Sequence, residues 1–416
     1  MQNKDCLQLP LTVFACILVC LSPITFLAAN EKPMHWSVDL TPYGYPAAHL
    51  LVGKLPLTST SVRATSDNIA VALDVQESTD QSLSARVGLP WTLSLLIFGA
   101  KDGNLRAKCG PWTTNSAFDL WATAGGNFLL HLEPLVDTQD HATGKLLLLS
   151  PSCQSLHELA LPHSQDSQRA WLRFAVSPSG RTLLMAESEG PETTYELRNT
   201  DTLSTISTWI ADPGDPVIDS VSDTGLIAVK PFLEEHPALS ERTILYRTFQ
   251  EASWRTALTS SGDVSLLFPI RFLSNDTILE AGRIGKLGPC ADTETSVRVA
   301  RIDGTILFST AVRRSGYAVG GGVGFVGSSD GHFFGDVLEF DGVGGLWCFL
   351  DMGPGYSKAY IWSSSDTEPI KRISLHRQVS VSSPLAFAPD GSWYALLDNN
   401  VLSLSALNVP HRTPSE

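Results

Sequence analysis

Positive charge is scarce in this chain. Its 29 Lys and Arg stand against 43 Asp and Glu, giving a formal net charge of −14 at neutral pH. No Lys/Arg cluster stands out from that acidic background, so nucleic acid is not expected as a partner, because binding phosphates needs concentrated positive charge. Metal-binding patterns are missing too. The 10 His are scattered, with no H-x-H or H-E-x-x-H, the cysteines form no C-x-x-C, and no D-x-D-x-D-G calcium loop is present. No metal site and no cofactor is therefore expected. No window keeps a helical apolar period over several turns. Beyond residue 29 no run is long and apolar enough to span a membrane.

Apolar residues are instead concentrated at the start, in "LQLPLTVFACILVCLSPITFLAAN", which ends in the small residues Ala28 and Ala29. Residues 1–29 read as a secretory signal, with an uncleaved N-terminal anchor as the alternative. Export to the periplasm or the cell exterior follows. Cleavage would remove Lys4 and Asp5, leaving the net charge unchanged, and would leave Cys109, Cys153, Cys290 and Cys348. Four cysteines in an exported chain allow three full pairings.

The stretch "GVGFVGSSDGHFFGD" (322–336) contains two catalytic-looking patterns. Gly322, Gly324 and Gly327 match a dinucleotide fingerprint, and Gly327, Ser329 and Gly331 match a nucleophile elbow. Both need a helix after the turn, whereas "HFFGDVLEF" is aromatic and β-branched. A repeat explains the stretch better. Similar four-residue units end at 68, 126, 180, 225, 277, 331 and 391, spaced 45 to 60 residues apart. Several carry Asp or Ser before Gly, the chemistry of a tight hairpin turn. An apolar segment leads into each unit and another follows it, as in "WLRFAV" and "RTLLMA" around 177–180. A third strand comes later, for instance "KLLLLS" (145–150) or "KAYIW" (358–362), and in most repeats a weaker fourth, such as "TISTWI". Four short antiparallel strands per repeat predict an all-β fold, a seven-bladed β-propeller filling 60–407. Residues 30–59 precede it and a polar tail, 408–416, follows.

"FAVSPSGRTLLMAES" and "LAFAPDGSWYALLDN" resemble the S-P-D-G hairpins of exported bacterial propellers of the WD40-like, TolB-like and lactonase-like kind. The resemblance covers most of the chain and implies the fold, but brings no catalytic residue with it. The WD dipeptide and structural His of eukaryotic WD40 repeats are absent, as is the sialidase Asp-box.

A propeller gathers its innermost strands around a channel. Arg63, Asp119, Arg173, Asp219 and Arg271 fall on those strands and are the candidate ligand-binding residues, suited to a polar or carboxylate-bearing ligand. The expected protein is a monomeric binding module for a protein or small-molecule partner, with a lactonase-like hydrolase at the channel mouth as the alternative. Cys290 and Cys348 fall in equivalent loops of consecutive blades, so their pairing is favoured over Cys109–Cys153, placed at opposite blade ends. The seventh repeat supplies three strands, so an N-terminal strand should complete it. Of "HWSVDL" (35–40) and "HLLVGKLPL" (49–57), the second is preferred because it leads straight into the first inner strand.

If Ser329 is a turn residue, Ser329→Ala shifts stability by no more than about 0.5–1 kcal/mol. Chemical denaturation checks this, and a larger loss contradicts the repeat assignment.

Overall fold

The computed structural model describes residues 35–45, 57–76, 91–114, 118–132, 144–161, 171–189, 192–211, 218, 220–229, 243–251, 253–259, 264–265, 270–284, 293–314, 325–341, 356–366, 368–375 and 384–407. Strand β1 (His35–Asp39) comes first, followed by a single 3-10 turn, Thr41–Tyr43. Blade 1 is then β2 (Leu57–Ala64), β3 (Asn68–Gln76), β4 (Trp91–Gly99) and β5 (Leu105–Thr114). Blade 2 is β6 (Phe118–Ala122), β7 (Phe128–Leu132), β8 (Lys145–Leu149) and β9 (Ser155–Ala160). Blade 3 is β10 (Trp171–Val176), β11 (Thr182–Glu189), β12 (Glu192–Asn199) and β13 (Thr205–Ile210). Blade 4 is β14 (Ser220–Val221), β15 (Leu226–Val229), β16 (Thr243–Thr248) and β17 (Arg255–Thr259).

Blade 5 has an inner edge in two pieces, β18 (Val264–Ser265) and β19 (Arg271–Phe272), both paired with β20 (Thr277–Ile284), then β21 (Thr293–Arg301) and β22 (Ile306–Arg314). Blade 6 is β23 (Val326–Gly327), β24 (Phe333–Asp341), β25 (Tyr356–Ser363) and β26 (Lys371–Leu375). Blade 7 is β27 (Leu385–Phe387), β28 (Trp393–Asp398) and β29 (Val401–Ala406), with β1 as its fourth strand. Every pairing is antiparallel between neighbours, and β2 of the first blade touches β27 of the last, so the ring closes. The chain forms a seven-bladed β-propeller. Among the described residues no helix is long and apolar enough to cross a membrane.

The hydrophobic pattern follows each strand's place in its blade. Middle strands lie between two neighbouring blades and are apolar on both faces: β7 (FLLHL) is buried at every position, and β28 (WYALLD) at all but its last. Outer strands keep one face in water and alternate, as in β26. The core is therefore divided among the seams. Leu95, Ile97, Phe128 and Leu130 form one cluster between blades 1 and 2. Phe308, Phe334 and Trp362 form another between blades 5 and 6.

The repeated turns fall where the sequence places them. Gly180 has φ +70°, and a Cβ there would lie 2.3 Å from the Ala122 carbonyl oxygen of the preceding blade. Gly331 has φ +73° and a similarly close neighbour, the Leu273 carbonyl at 3.1 Å. Glycine is needed both for the left-handed conformation and for the close approach of one turn to the next. Ser329 sits in this turn, and strand β24 follows it rather than a helix.

Two expectations need correction. The closing strand is "HWSVD", not "HLLVGKLPL": Trp36 pairs with Leu404 and Val38 with Leu402 on β29. An outermost strand needs one apolar face, and β1 supplies it by alternation, with Trp36 and Val38 half-buried and His35, Ser37 and Asp39 exposed. "HLLVGKLPL" is apolar without alternation and carries Gly and Pro. Trp36 also ties blade 7 to blade 1, because its Nε1 donates to the Ala100 carbonyl oxygen at 2.7 Å. Its ring fills the space a side chain at Gly103 would need, and Tyr43 meets Phe98 edge to face at 5.9 Å.

The second correction concerns the cysteines. Cys109 and Cys153 form a disulfide with Cα atoms 5.3 Å apart. The mistake lay in placing Cys109 at a strand end. β5 runs on to Thr114, so Cys109 lies in mid-strand opposite Leu95. Cys153 sits in the turn between β8 and β9, at the left-handed φ of +68°, and both sulfurs belong to the packing between blades 1 and 2. Cys290 and Cys348 lie outside the described residues.

Deleting residues 35–45 would expose the edge of β29 and should give aggregated or molten protein. Trp36→Ala alone should cost about 1–3 kcal/mol; a soluble deletion with unchanged cooperative melting would contradict this closure. Replacing Cys109 and Cys153 together by Ser should cost about 2–4 kcal/mol. Unreduced peptide mapping should find these two linked, and a link from either to Cys290 or Cys348 would contradict the pairing.

Candidate functional site

The inner strands enclose a cavity of about 430 Å³ on the ring axis. Strand alternation and the repeated turn decide which side chains reach it. The first backbone bond of each turn is made by Thr65, Thr123, Ser177, Ser222, Leu273, Ser328 and Ala388. Two residues before them stand Arg63, Trp121, Ala175, Ser220, Arg271, Val326 and Ala386, and all seven line the cavity. Each blade therefore contributes one side chain to a single tier. Asp119 and Arg173, two residues further back on β6 and β10, also line it.

Four of the five expected residues thus share one cavity: Arg63, Asp119, Arg173 and Arg271. Asp219 lies outside the described residues. The charge of the wall is opposite in sign to that of the chain. Three Arg against one Asp among the described lining residues give 3 − 1 = +2 with His131 neutral, whereas the whole chain carries −14.

Arg63 and Arg271 come from blades 1 and 5, across the ring from one another. Arg63 donates from Nη1 to the carbonyl oxygen of its neighbour Val62 at 2.8 Å. Its pKa falls to about 10, mainly through burial and then through the nearby positive charge of Arg271, with Asp119 acting in the opposite sense. Arg271 is exposed to the cavity, and partial desolvation by the surrounding wall lowers its pKa against the pull of Asp336 and Asp119.

Asp119 is further fixed by His131 on β7, whose Nδ1 lies 3.3 Å from its Oδ2. The His131 ring is buried and packs 4.4 Å from that of Phe174. The rim is held by contacts between successive turns. Ser179 donates from Oγ to Asp223 Oδ1 at 2.6 Å, and Thr123 Oγ1 donates to Asp201. Sequence reasoning missed Trp121, Ser220 and His131. Counting two residues back from each turn would have found the first two; His131 carries no such mark.

Among the described residues, no group of three or more His, Cys, Asp and Glu is placed to hold a metal ion. The carboxylate with the largest upward pKa shift, Asp74 on β3, lies away from the cavity. It is fully buried and accepts hydrogen bonds from Thr114 Oγ1 at 3.2 and 3.1 Å. Burial pushes its pKa up to about 6, against the Thr114 bond.

The fold and site define an all-β propeller with a polar axial cavity. No protein-family model and no curated protein matches the chain. Three solved structures similar to it are distant in sequence. An uncharacterized protein from Listeria monocytogenes is 9% identical, with 87% of this chain and 98% of that one covered and a TM-score of 0.45. The WD40 domain of coronin from Toxoplasma gondii is 10% identical, with 92% and 88% covered and a TM-score of 0.45. A putative TolB from Agrobacterium tumefaciens is 12% identical, with 72% and 93% covered and a TM-score of 0.39.

The raised pKa of Asp74 gives a test of its role. A carboxyl whose folded pKa lies above its unfolded value of about 3.9 favours folding fully below that value, and this contribution is lost as pH rises through about 6. Asp74→Asn should therefore melt higher than the parent at pH 7.5, by an amount on the order of 2–3 kcal/mol, with the gap closing toward pH 4. A variant less stable at every pH would show that the ionised group is favourably held.

Proposed function

We propose that this protein is an exported, monomeric binding module whose ligand site is the axial cavity. The observation that carries the reading is the tier itself: every blade sends one side chain to the same cavity, and polar groups are mixed there with apolar ones. A volume of about 430 Å³ suits a small ligand, and a few convergent polar groups on an apolar wall supply orientation. Export is supported by the apolar leader and by the Cys109–Cys153 disulfide, since disulfides persist in oxidising compartments. Asp119 and His131 are the one carboxylate and one histidine among the described lining residues. That pair does not by itself favour the hydrolase alternative.

Ala175→Trp places a bulky ring in the tier, and its melting curve reports whether the fold is kept. Small molecules retained from a cell extract by the parent protein and identified by mass spectrometry should be retained at least ~10-fold less by the folded variant. Equal retention by both proteins, or none by the parent, contradicts the reading.

A further inference from the structure

Arg63 and Arg271 are two guanidiniums on one tier of the cavity, and the positive charge of Arg271 acts on Arg63. Arg63 is half-buried and Arg271 is exposed to the cavity, and a carboxylate between two such cations would offset their mutual repulsion. Here no ion pair within 4 Å is formed by either one among the described residues. Arg63 spends one of its five donors on Val62. The nearest acidic groups act from other levels: Asp119 stands two residues further along its strand and is held by His131, and Asp336 belongs to β24, the second strand of blade 6. The remaining neighbours on the tier are mostly apolar, notably Trp121, Val326 and Ala386.

We infer that the cavity takes a small organic anion, with its carboxylate or phosphate oxygens between Arg63 and Arg271 and its apolar body against Trp121. This rests on the cavity being the ligand site, and it names the chemistry the site selects. Planar guanidinium forks match carboxylate and phosphate oxygens in pairs of hydrogen bonds. An anion there would satisfy donors that the described protein groups leave open and offset the repulsion between the two arginines. The acidic exterior would not attract such a ligand from afar, so recognition depends on the cavity.

The test uses the full-length protein and four probes: benzoate, phenyl phosphate, inorganic phosphate and benzamide, which is neutral but similar in shape to benzoate. Calorimetry at low salt should show benzoate or phenyl phosphate binding, with benzamide at least 10-fold weaker. Arg271→Gln should weaken the bound anion at least 10-fold, the scale of losing hydrogen bonds to a charged group. Arg63→Gln should do the same and stands in if Arg271→Gln melts abnormally. Phenyl phosphate binding without benzoate marks a phosphate source, and the reverse a carboxylate source; either supports the inference. Inorganic phosphate binding as tightly as phenyl phosphate would overturn the apolar-body assignment. Benzamide binding as tightly as benzoate, but lost in Ala175→Trp, overturns the anion while the cavity reading stands. Anion binding untouched by Ala175→Trp and by both arginine variants overturns the two together. No binding by any probe overturns the inference.

Discussion

Each blade is a sheet with two apolar faces, and the next blade is what covers them. Leu95 and Ile97 of blade 1 are dry because Phe128 and Leu130 of blade 2 lie against them, and the same relation holds at the seam containing Trp362. A stack of such sheets has two bare ends unless it curves back on itself. Closure into a ring is therefore the constraint on which everything else depends. The last seam is built from chain segments hundreds of residues apart. Strand β1 completes blade 7 and its Trp36 reaches across to blade 1. The Cys109–Cys153 bridge adds a covalent tie at the following seam.

Closure has a chemical consequence at the axis. Seven inner strands cannot pack their channel-facing side chains to the density of a core, so a space remains. One residue per blade, two before each turn, lines it, and Asp119 and Arg173 line it from two residues further back. Several of those positions also serve the seams: Trp121, Ala175 and Val326 pack against the clusters beside them, and Ser220 Oγ accepts from the Phe272 N–H. Arg63 and Arg271 form no ion pair within 4 Å among the described residues, and Arg63 donates to the Val62 carbonyl. Both line the same cavity, in a chain whose net charge is −14.

Much of this was legible in the sequence, for identifiable reasons. The seven turns could be read because Ser177–Gly180 and its counterparts need residues that accept left-handed backbone and close approach. Arg63, Asp119, Arg173 and Arg271 could be assigned to one cavity because charged residues stand out on otherwise apolar inner strands. The closing strand was misjudged because hydrophobicity was weighed above alternation: Trp36 and Val38 cover one face, which an outer strand requires. The disulfide was misjudged because the length of β5 and the tilt of one blade over the next are set by tertiary packing. Trp121 was overlooked because an aromatic residue on an inner strand reads as core until the turn fixes its parity. Asp219, Cys290 and Cys348 lie outside the described residues.

The most direct measurement of the central claim is a crystal structure of the protein grown with phenyl phosphate. The account predicts ordered density for the anion on the ring axis, its phosphate oxygens within hydrogen-bond distance of both Arg63 and Arg271 and its ring against Trp121. A cavity holding only water at saturating phenyl phosphate, or an anion bound elsewhere on the ring, would contradict it.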